Sequence, residues 1–173
     1  MKKNLIAAAI AATSLMTAAS VFAADGTVNF TGEILDTACV VDIGANNTMT
    51  VDLGQVARTS LTDQSPRSSA TRFVLKLKDC PAALTNARFK FDGQAYPGDD
   101  SVLKLEDQPG VATGVAIELS DIAATLPLYT ASVTYNLVEG VNELPFYARY
   151  LKKALTVTAG PANSSATFTV NYN

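Results

Sequence analysis

Histidine is absent from this chain and so is tryptophan, while cysteine occurs only twice, at Cys39 and Cys80. Without histidine there is no Ser-His-Asp arrangement, no imidazole-ligated zinc or copper, and no side chain whose ordinary pKa lies near neutrality. Carboxylate-only chemistry survives as a possibility. The adjacent acids Asp99-Asp100 and Glu106-Asp107 are the candidates for it, but each pair stands near glycine or proline, where solvated turn charges are the ordinary outcome. A phosphate-binding glycine loop is missing as well, since Gly110-Val111-Ala112-Thr113-Gly114 has neither the spacing nor the lysine. Basic runs are scarce. Thirteen Lys plus Arg stand against sixteen Asp plus Glu, a net charge of −3, which argues against a nucleic-acid partner. These absences point away from an enzyme, a cofactor, a metal and a small-molecule substrate.

Long apolar runs are confined to the start. Lys2 and Lys3 precede an apolar stretch from Leu5 to about Ala19, and Val21-Phe22-Ala23 has the small-x-small pattern of a cleavage site. Residues 1–23 therefore read as a secretory signal peptide. The alternative is a membrane anchor, but the run is rich in Ala and Thr and short for a span of about 20 residues. With Lys2 and Lys3 removed, the net charge moves from −3 to −5. Secretion places both cysteines in an oxidising compartment, so a Cys39–Cys80 disulfide is expected. Closing a loop of about 40 residues contributes roughly 4 kcal/mol by the chain-entropy model. A reactive thiol would need a nearby base and an electropositive setting, and neither is visible.

What is present is alternation. Thr48–Leu53, Phe73–Lys78, Arg88–Phe91, Val102–Leu105, Val115–Leu119, Glu143–Leu151 and Ala166–Tyr172 each carry apolar residues at every second position. Turn residues separate them, with Asp92-Gly93 the strongest turn pair, and Pro145 suggests an edge or a bulge. Only Leu61–Ala70 and Asp79–Leu84 could hold a helical turn or two. Many short strands at this spacing mean an all-β sandwich, in one domain with no linker.

The two ends of the secreted chain raise a question. Near its start, Val28, Phe30, Gly32 and Ile34 share one face of an extended segment; at its finish, Ala166, Phe168, Val170 and Tyr172 do the same. The two strands can pair with each other and close the sandwich. Alternatively the body lacks a final strand, and the N-terminal strand of another copy fills the exposed edge, which builds a filament because a head-to-tail contact does not close on itself. Periodicity does not choose between them.

Five motifs in order resemble one family. Gly26-Thr-Val-Asn-Phe-Thr-Gly-Glu-Ile-Leu35 before Cys39, Val51-Asp-Leu-Gly-Gln-Val56, Phe73-Val-Leu-Lys-Leu-Lys-Asp-Cys80, Phe146-Tyr-Ala-Arg-Tyr150, and Gly160 with Ala166, Phe168, Val170 and Tyr172 are similar to the signatures of chaperone–usher fimbrial (pilin) subunits, close to the major subunits of type 1 fimbriae. The resemblance implies an incomplete immunoglobulin-like β-sandwich lacking its final strand, with an N-terminal donor-strand extension at 24–35 and a pilin domain at 36–173. It implies a structural, non-enzymatic subunit that polymerises by donor-strand exchange and supports cell adhesion. Val28, Phe30, Gly32 and Ile34 would be the donated face. Gly160, Ala166, Phe168, Val170 and Tyr172 would belong to the C-terminal strand that meets the chaperone or the neighbouring subunit. The partners implied are identical or related pilin subunits, a periplasmic pilus chaperone and an outer-membrane usher. The location implied is a fimbrium on the bacterial surface, reached through the periplasm. Single-domain length favours a shaft or minor subunit over a two-domain tip adhesin.

A second reading is a secreted carbohydrate-binding module in which Tyr96, Tyr129 and Tyr135 stack on sugars, although no aromatic patch clusters in sequence. Asn-x-Ser/Thr triplets at Asn29, Asn46 and Asn163 read as polar strand and turn residues.

Overall fold

The computed structural model of the chain describes residues 26–32, 34 and 37–172. The expected signal segment 1–23 lies outside the described residues, as do Glu33, Leu35, Asp36 and Asn173. The chain divides into two units, Met1–Ile34 and Leu35–Asn173.

In the first unit, residues 26–32 and Ile34 form no ladder, and Val28, Phe30 and Ile34 are 75%, 93% and 97% exposed. The second unit is built from short antiparallel strands: β1 (Val40–Val41), β2 (Thr71–Cys80), β3 (Asn86–Gly93), β4 (Ala95–Tyr96), β5 (Asp99–Leu103), β6 (Val115–Ser120), β7 (Tyr135–Asn136), β8 (Gly140–Lys152) and β9 (Ala166–Tyr172). Among the described residues they make two sheets. One has the order β1-β2-β8-β6-β5-β4 and the other β7-β3-β9.

Period-two alternation explains the layering. Leu75 and Leu77 on β2, Phe89 and Phe91 on β3, and Leu144, Phe146 and Ala148 on β8 all turn inward and are buried. Phe146 sits at the centre, its ring centroid 5.3 Å from those of Phe89, Phe91 and Tyr135 and 5.8 Å from that of Phe73. Edge-to-face contacts such as Phe89–Phe146 add about 1 kcal/mol each to simple burial. The expected disulfide joins Cys39, just before β1, to Cys80 at the end of β2.

Four local expectations are corrected. Thr48–Leu53 joins no ladder, yet Met49, Val51, Leu53 and Val56 are half-buried between exposed neighbours. Its alternation was a sign of one packed face, not of strand pairing. Asp92-Gly93 is not the hairpin turn: the chain continues from β3 to β4, changing sheets, and turns at Pro97-Gly98, where Gly98 has φ +80. Gly93 is needed there because a Cβ would collide with the Leu103 side chain and lie 3.2 Å from Ser165 O. Leu61–Ala70 is irregular, not helical, with Pro66 and Ser68 tied to β8 by Lys152 N–H to Pro66 O at 2.7 Å and Ser68 N–H to Tyr150 O at 2.9 Å. Asp79–Leu84 holds only the turn closed by Leu84 N–H to Pro81 O at 3.0 Å, because β2 runs on through Cys80.

Pro145 lies in an interior strand, opposite Val74 of β2. The expectation of an edge holds locally, since β6 pairs with β8 only from Tyr147 onward and has already left at Pro145. The Pro145 carbonyl accepts the Tyr135 hydroxyl at 2.8 Å.

Candidate functional site

β9 is the C-terminal edge of its sheet. It pairs with β3 from Gly93↔Ala166 to Ala87↔Tyr172, and no described strand lies on its other side. The architecture is therefore an immunoglobulin-like sandwich short of its final strand. An unpaired strand of this length normally carries protection, such as charge, proline or a bulge. β9 has none, because its sequence Ala166-Thr-Phe-Thr-Val-Asn-Tyr172 contains no charge and no proline.

The side chains sharpen the point. Phe168, Val170 and Tyr172 point at the core but are only half-buried, while Ala166, Thr167, Thr169 and Asn171 are exposed. Phe168 rests on Phe89 and Phe91, with centroids 6.2 and 6.0 Å apart. Those rings rest in turn on Phe146. The inward face of β9 is thus the rim of an aromatic floor that is roofed on one side only. Burial raises the Tyr172 hydroxyl above its ordinary range, with the Cys39 backbone pulling the other way. The end of β9 therefore lies at the disulfide end of the body.

A second stretch has a free backbone. From Met49 to Val56 the described residues make no ladder bond, and Gly54 N–H is satisfied locally by the Asp52 carboxylate at 2.8 Å. Val51–Val56 stands among the sequence motifs without a role assigned from sequence, and Phe89, Phe91 and Phe146 fall within alternating segments or motifs without a site role. Their strict alternation was the signal available.

The remaining candidates are placed as follows. Gly160 lies outside β9, in the segment that leads to it. A Cβ there would collide with the Gly110 carbonyl and sit 2.7 Å from Ala112 N, so glycine allows two backbones to approach, and Ala112 N–H bonds Pro161 O at 2.9 Å. Tyr135 is a core residue at 6% exposure, and burial, then the charge of Asp121, push its hydroxyl up to about 12. Tyr96 lies under the Lys153 ammonium, 5.7 Å from the ring centroid, and Tyr129 donates to Gly93 O. The three tyrosines do not form one stacking surface. Asp99 is tied to Lys153, and Asp107 to Lys104 at 2.7 Å. Among the described residues no group of three His, Cys, Asp or Glu side chains is arranged to hold a metal ion.

Comparison with known proteins agrees with this geometry. The family model described as fimbrial protein matches residues 28–173. The chain belongs to the fimbrial protein family. Among its relatives, this fimbrial subunit is 38% identical to the type-1 fimbrial protein A chain of Escherichia coli (strain K12), over 98% of each chain. It is 37% identical to the fimbrial subunit type 1 of Klebsiella pneumoniae, again over 98% of each. Its fold is similar to the P pilus rod subunit PapA, with a TM-score of 0.67 at 19% identity over 79% of this chain and all of that one. It also resembles a Burkholderia pseudomallei antigen and type I fimbria protein, with a TM-score of 0.59 at 32% identity over 85% of this chain and 97% of that one. The family is one of structural subunits, and this fimbrial subunit has that role.

Proposed function

We propose that the subunit polymerises by donor-strand exchange, with residues 26–34 of one copy lying along the free edge of β9 in the next. The observation that carries this is a pair of unmet needs in one chain. β9 has a bare backbone edge above a half-covered aromatic floor, and Val28, Phe30 and Ile34 are apolar side chains left exposed at alternate positions. Val28, Phe30, Gly32 and Ile34 would fill the missing face over Phe168, Val170 and Tyr172, and the free backbone of Met49–Val56 would supply a second wall. On this reading 24–35 is the extension and 36–173 the accepting body.

The direction of insertion follows from the poles of the body. β9 ends beside Cys39, where the extension is rooted. A donor running antiparallel to β9 leaves its host at the Ala166 end, so the Cys39 end of one copy faces the Ala166 end of its neighbour. Repeating that unlike contact gives an open filament. A parallel donor would bring two Cys39 ends together. Three inserted side chains, those of Val28, Phe30 and Ile34, contribute roughly 1 to 2 kcal/mol each and ladder bonds about 1 kcal/mol each, against the cost of association. A subunit with so exposed an edge needs a partner before assembly, which supports a periplasmic chaperone that covers β9, an outer-membrane usher that exchanges it, and a fimbrium on the cell surface that serves adhesion.

The test is to refold residues 24–173 with a peptide of residues 26–34, native or Phe30→Asp, and follow binding by native mass spectrometry. A one-to-one complex with the native peptide only is expected. Equal binding of both peptides, or of neither, would overturn the reading.

A further inference from the structure

Met49 is the single methionine of residues 24–173, since the other two, Met1 and Met16, stand in the expected signal segment. The same residues contain no histidine and no tryptophan, and both cysteines are joined in the disulfide. Met49 is therefore the one side chain there that a mild two-electron oxidant attacks readily. We propose that Met49 is an oxidation site in the wall of the strand-accepting groove, converted by hydroperoxides while the groove is empty and shielded once a neighbour's strand is in place. This inference rests on the donor-strand reading above and adds to it a chemical control of the same site.

Position carries the argument. Thr48, Thr50 and Asp52 are exposed while Met49, Val51 and Leu53 are half-buried, so the thioether lies on the inward side of a stretch whose backbone joins no ladder. Among the described residues of this stretch, Leu53 and Val56 pack against the buried core. Met49 and Val51 share the side of Leu53 without that support, as side chains at a gap do. The opposite wall is close. Tyr150 packs against the core from β8, and its hydroxyl donates to Ala162 O at 3.1 Å, on the chain that enters β9. Burial raises that hydroxyl and the charge of Asp52 raises it further, so Asp52 and the approach to β9 flank one ring. A strand laid along β9 between these walls covers the Met49 sulfur with its apolar face.

The chemistry gives the control its direction. Hydrogen peroxide transfers one oxygen atom to the thioether: the O–O bond breaks, an S–O bond forms, the sulfur loses two electrons and the peroxide leaves as water. The sulfoxide is a strong acceptor with no hydrogen to donate. In an open groove water solvates it, but under an apolar strand it loses those hydrogen bonds, so oxidation favours the empty body over the filled one. An oxidised body captures a strand poorly, whereas a filled body keeps its sulfur from the oxidant.

The experiment treats residues 24–173 with hydrogen peroxide in denaturant, with the disulfide intact, removes the oxidant and refolds the chain with the 26–34 peptide, which contains no methionine. Peptide release is followed by exchange against labelled peptide, and the sulfoxide by its added oxygen in mass spectrometry. The oxidised body is expected to release the peptide about tenfold faster than the parent. An untreated Met49→Gln body, polar at similar length, is expected to match it, so the test does not depend on refolding of the oxidised chain. Met49→Leu is expected to keep the parent rate with or without peroxide. In the filled parent, oxidation should slow in proportion to added free peptide, because the sulfur is reached only from the empty groove. Parent-like release from the oxidised and Met49→Gln bodies, or an oxidation rate indifferent to peptide, would overturn the site while leaving donor-strand exchange standing. If the untreated parent captures no peptide, the donor-strand reading fails and this inference falls with it.

Discussion

Glu118 is the most buried charge in the body at 2% exposure, and it is held by two arginines. Arg67 reaches it from outside the regular strands with Nε at 3.0 Å and Nη2 at 2.9 Å, and Arg149 from β8 with Nε at 2.7 Å. Burial pushes its carboxyl upward, but the paired guanidinium groups outweigh that and hold it below the usual range. Glu118→Gln leaves two cations facing a neutral amide, and the expected loss is about 3 kcal/mol of folding stability, read as a shifted denaturant midpoint. The same group sets an acid limit. Asp99 is held at about 2, first by Lys153 and then by Ser101, and Asp121 is held low because amides of Val133, Ala124 and Ala123 outweigh its burial. All three carboxyls bind protons more readily when unfolded, so their stabilisation is complete above the unfolded carboxylate range near 4 and is lost as pH falls toward 2. Denaturant midpoints should stay level from pH 7 to about 5 and drop steeply at 2.5. A midpoint that held at 2.5 would contradict the pairing.

At the scale of elements, β9 is the segment whose two faces have different tasks. Val170 points to the half-covered core and Thr169 away from it. Val170→Asp should therefore abolish capture of the 26–34 peptide, while Thr169→Asp leaves it nearly unchanged, both measured as peptide bound per refolded body. Equal losses would mean that the backbone edge alone is recognised. The alternation of β9, β2, β3 and β8 was legible because each has one buried face and a strict two-residue period. Thr48–Val56 shows the limit of that signal. Its period is as regular, yet it forms no ladder, because alternation reports which side chains are covered and is silent about where the backbone amides go. Asp92-Gly93 failed for a different reason: the glycine serves a close approach to Leu103 and Ser165, which no local turn rule anticipates.

For the whole molecule, the disulfide and the open edge divide the sources of stability. Cys39 and Cys80 are 41 residues apart, so their bond removes unfolded-state entropy worth up to about 4 kcal/mol. On the proposed donor-strand exchange, the missing strand is supplied by another copy. Replacing both cysteines by serine should lower the stability of the peptide-filled body by several kcal/mol in equilibrium denaturation, without changing which peptide it binds. Under that proposal the polymer would couple the two, because Cys39 would anchor the root of the extension to the body that bears the pull of the next subunit. A filament made from the serine variant should break at lower force or lower denaturant than the parent. Equal resistance would show that the strand junction, not the body, is the weaker part.

The all-β class, the pairing of the two cysteines, and a final strand with one apolar face were determined by the sequence itself. Each depends on local composition or period, which a linear reading captures. Tertiary structure alone decided that β9 has no outer neighbour among the described residues, that Phe168 lies on Phe89 and Phe91 as the rim of an aromatic floor, and that Gly160 serves the Gly110–Ala112 backbone outside the strand. These are relations between segments distant in the chain. Whether a strand's second edge is filled depends on how many strands the sheet contains and in what order, and no periodicity within the strand encodes that number.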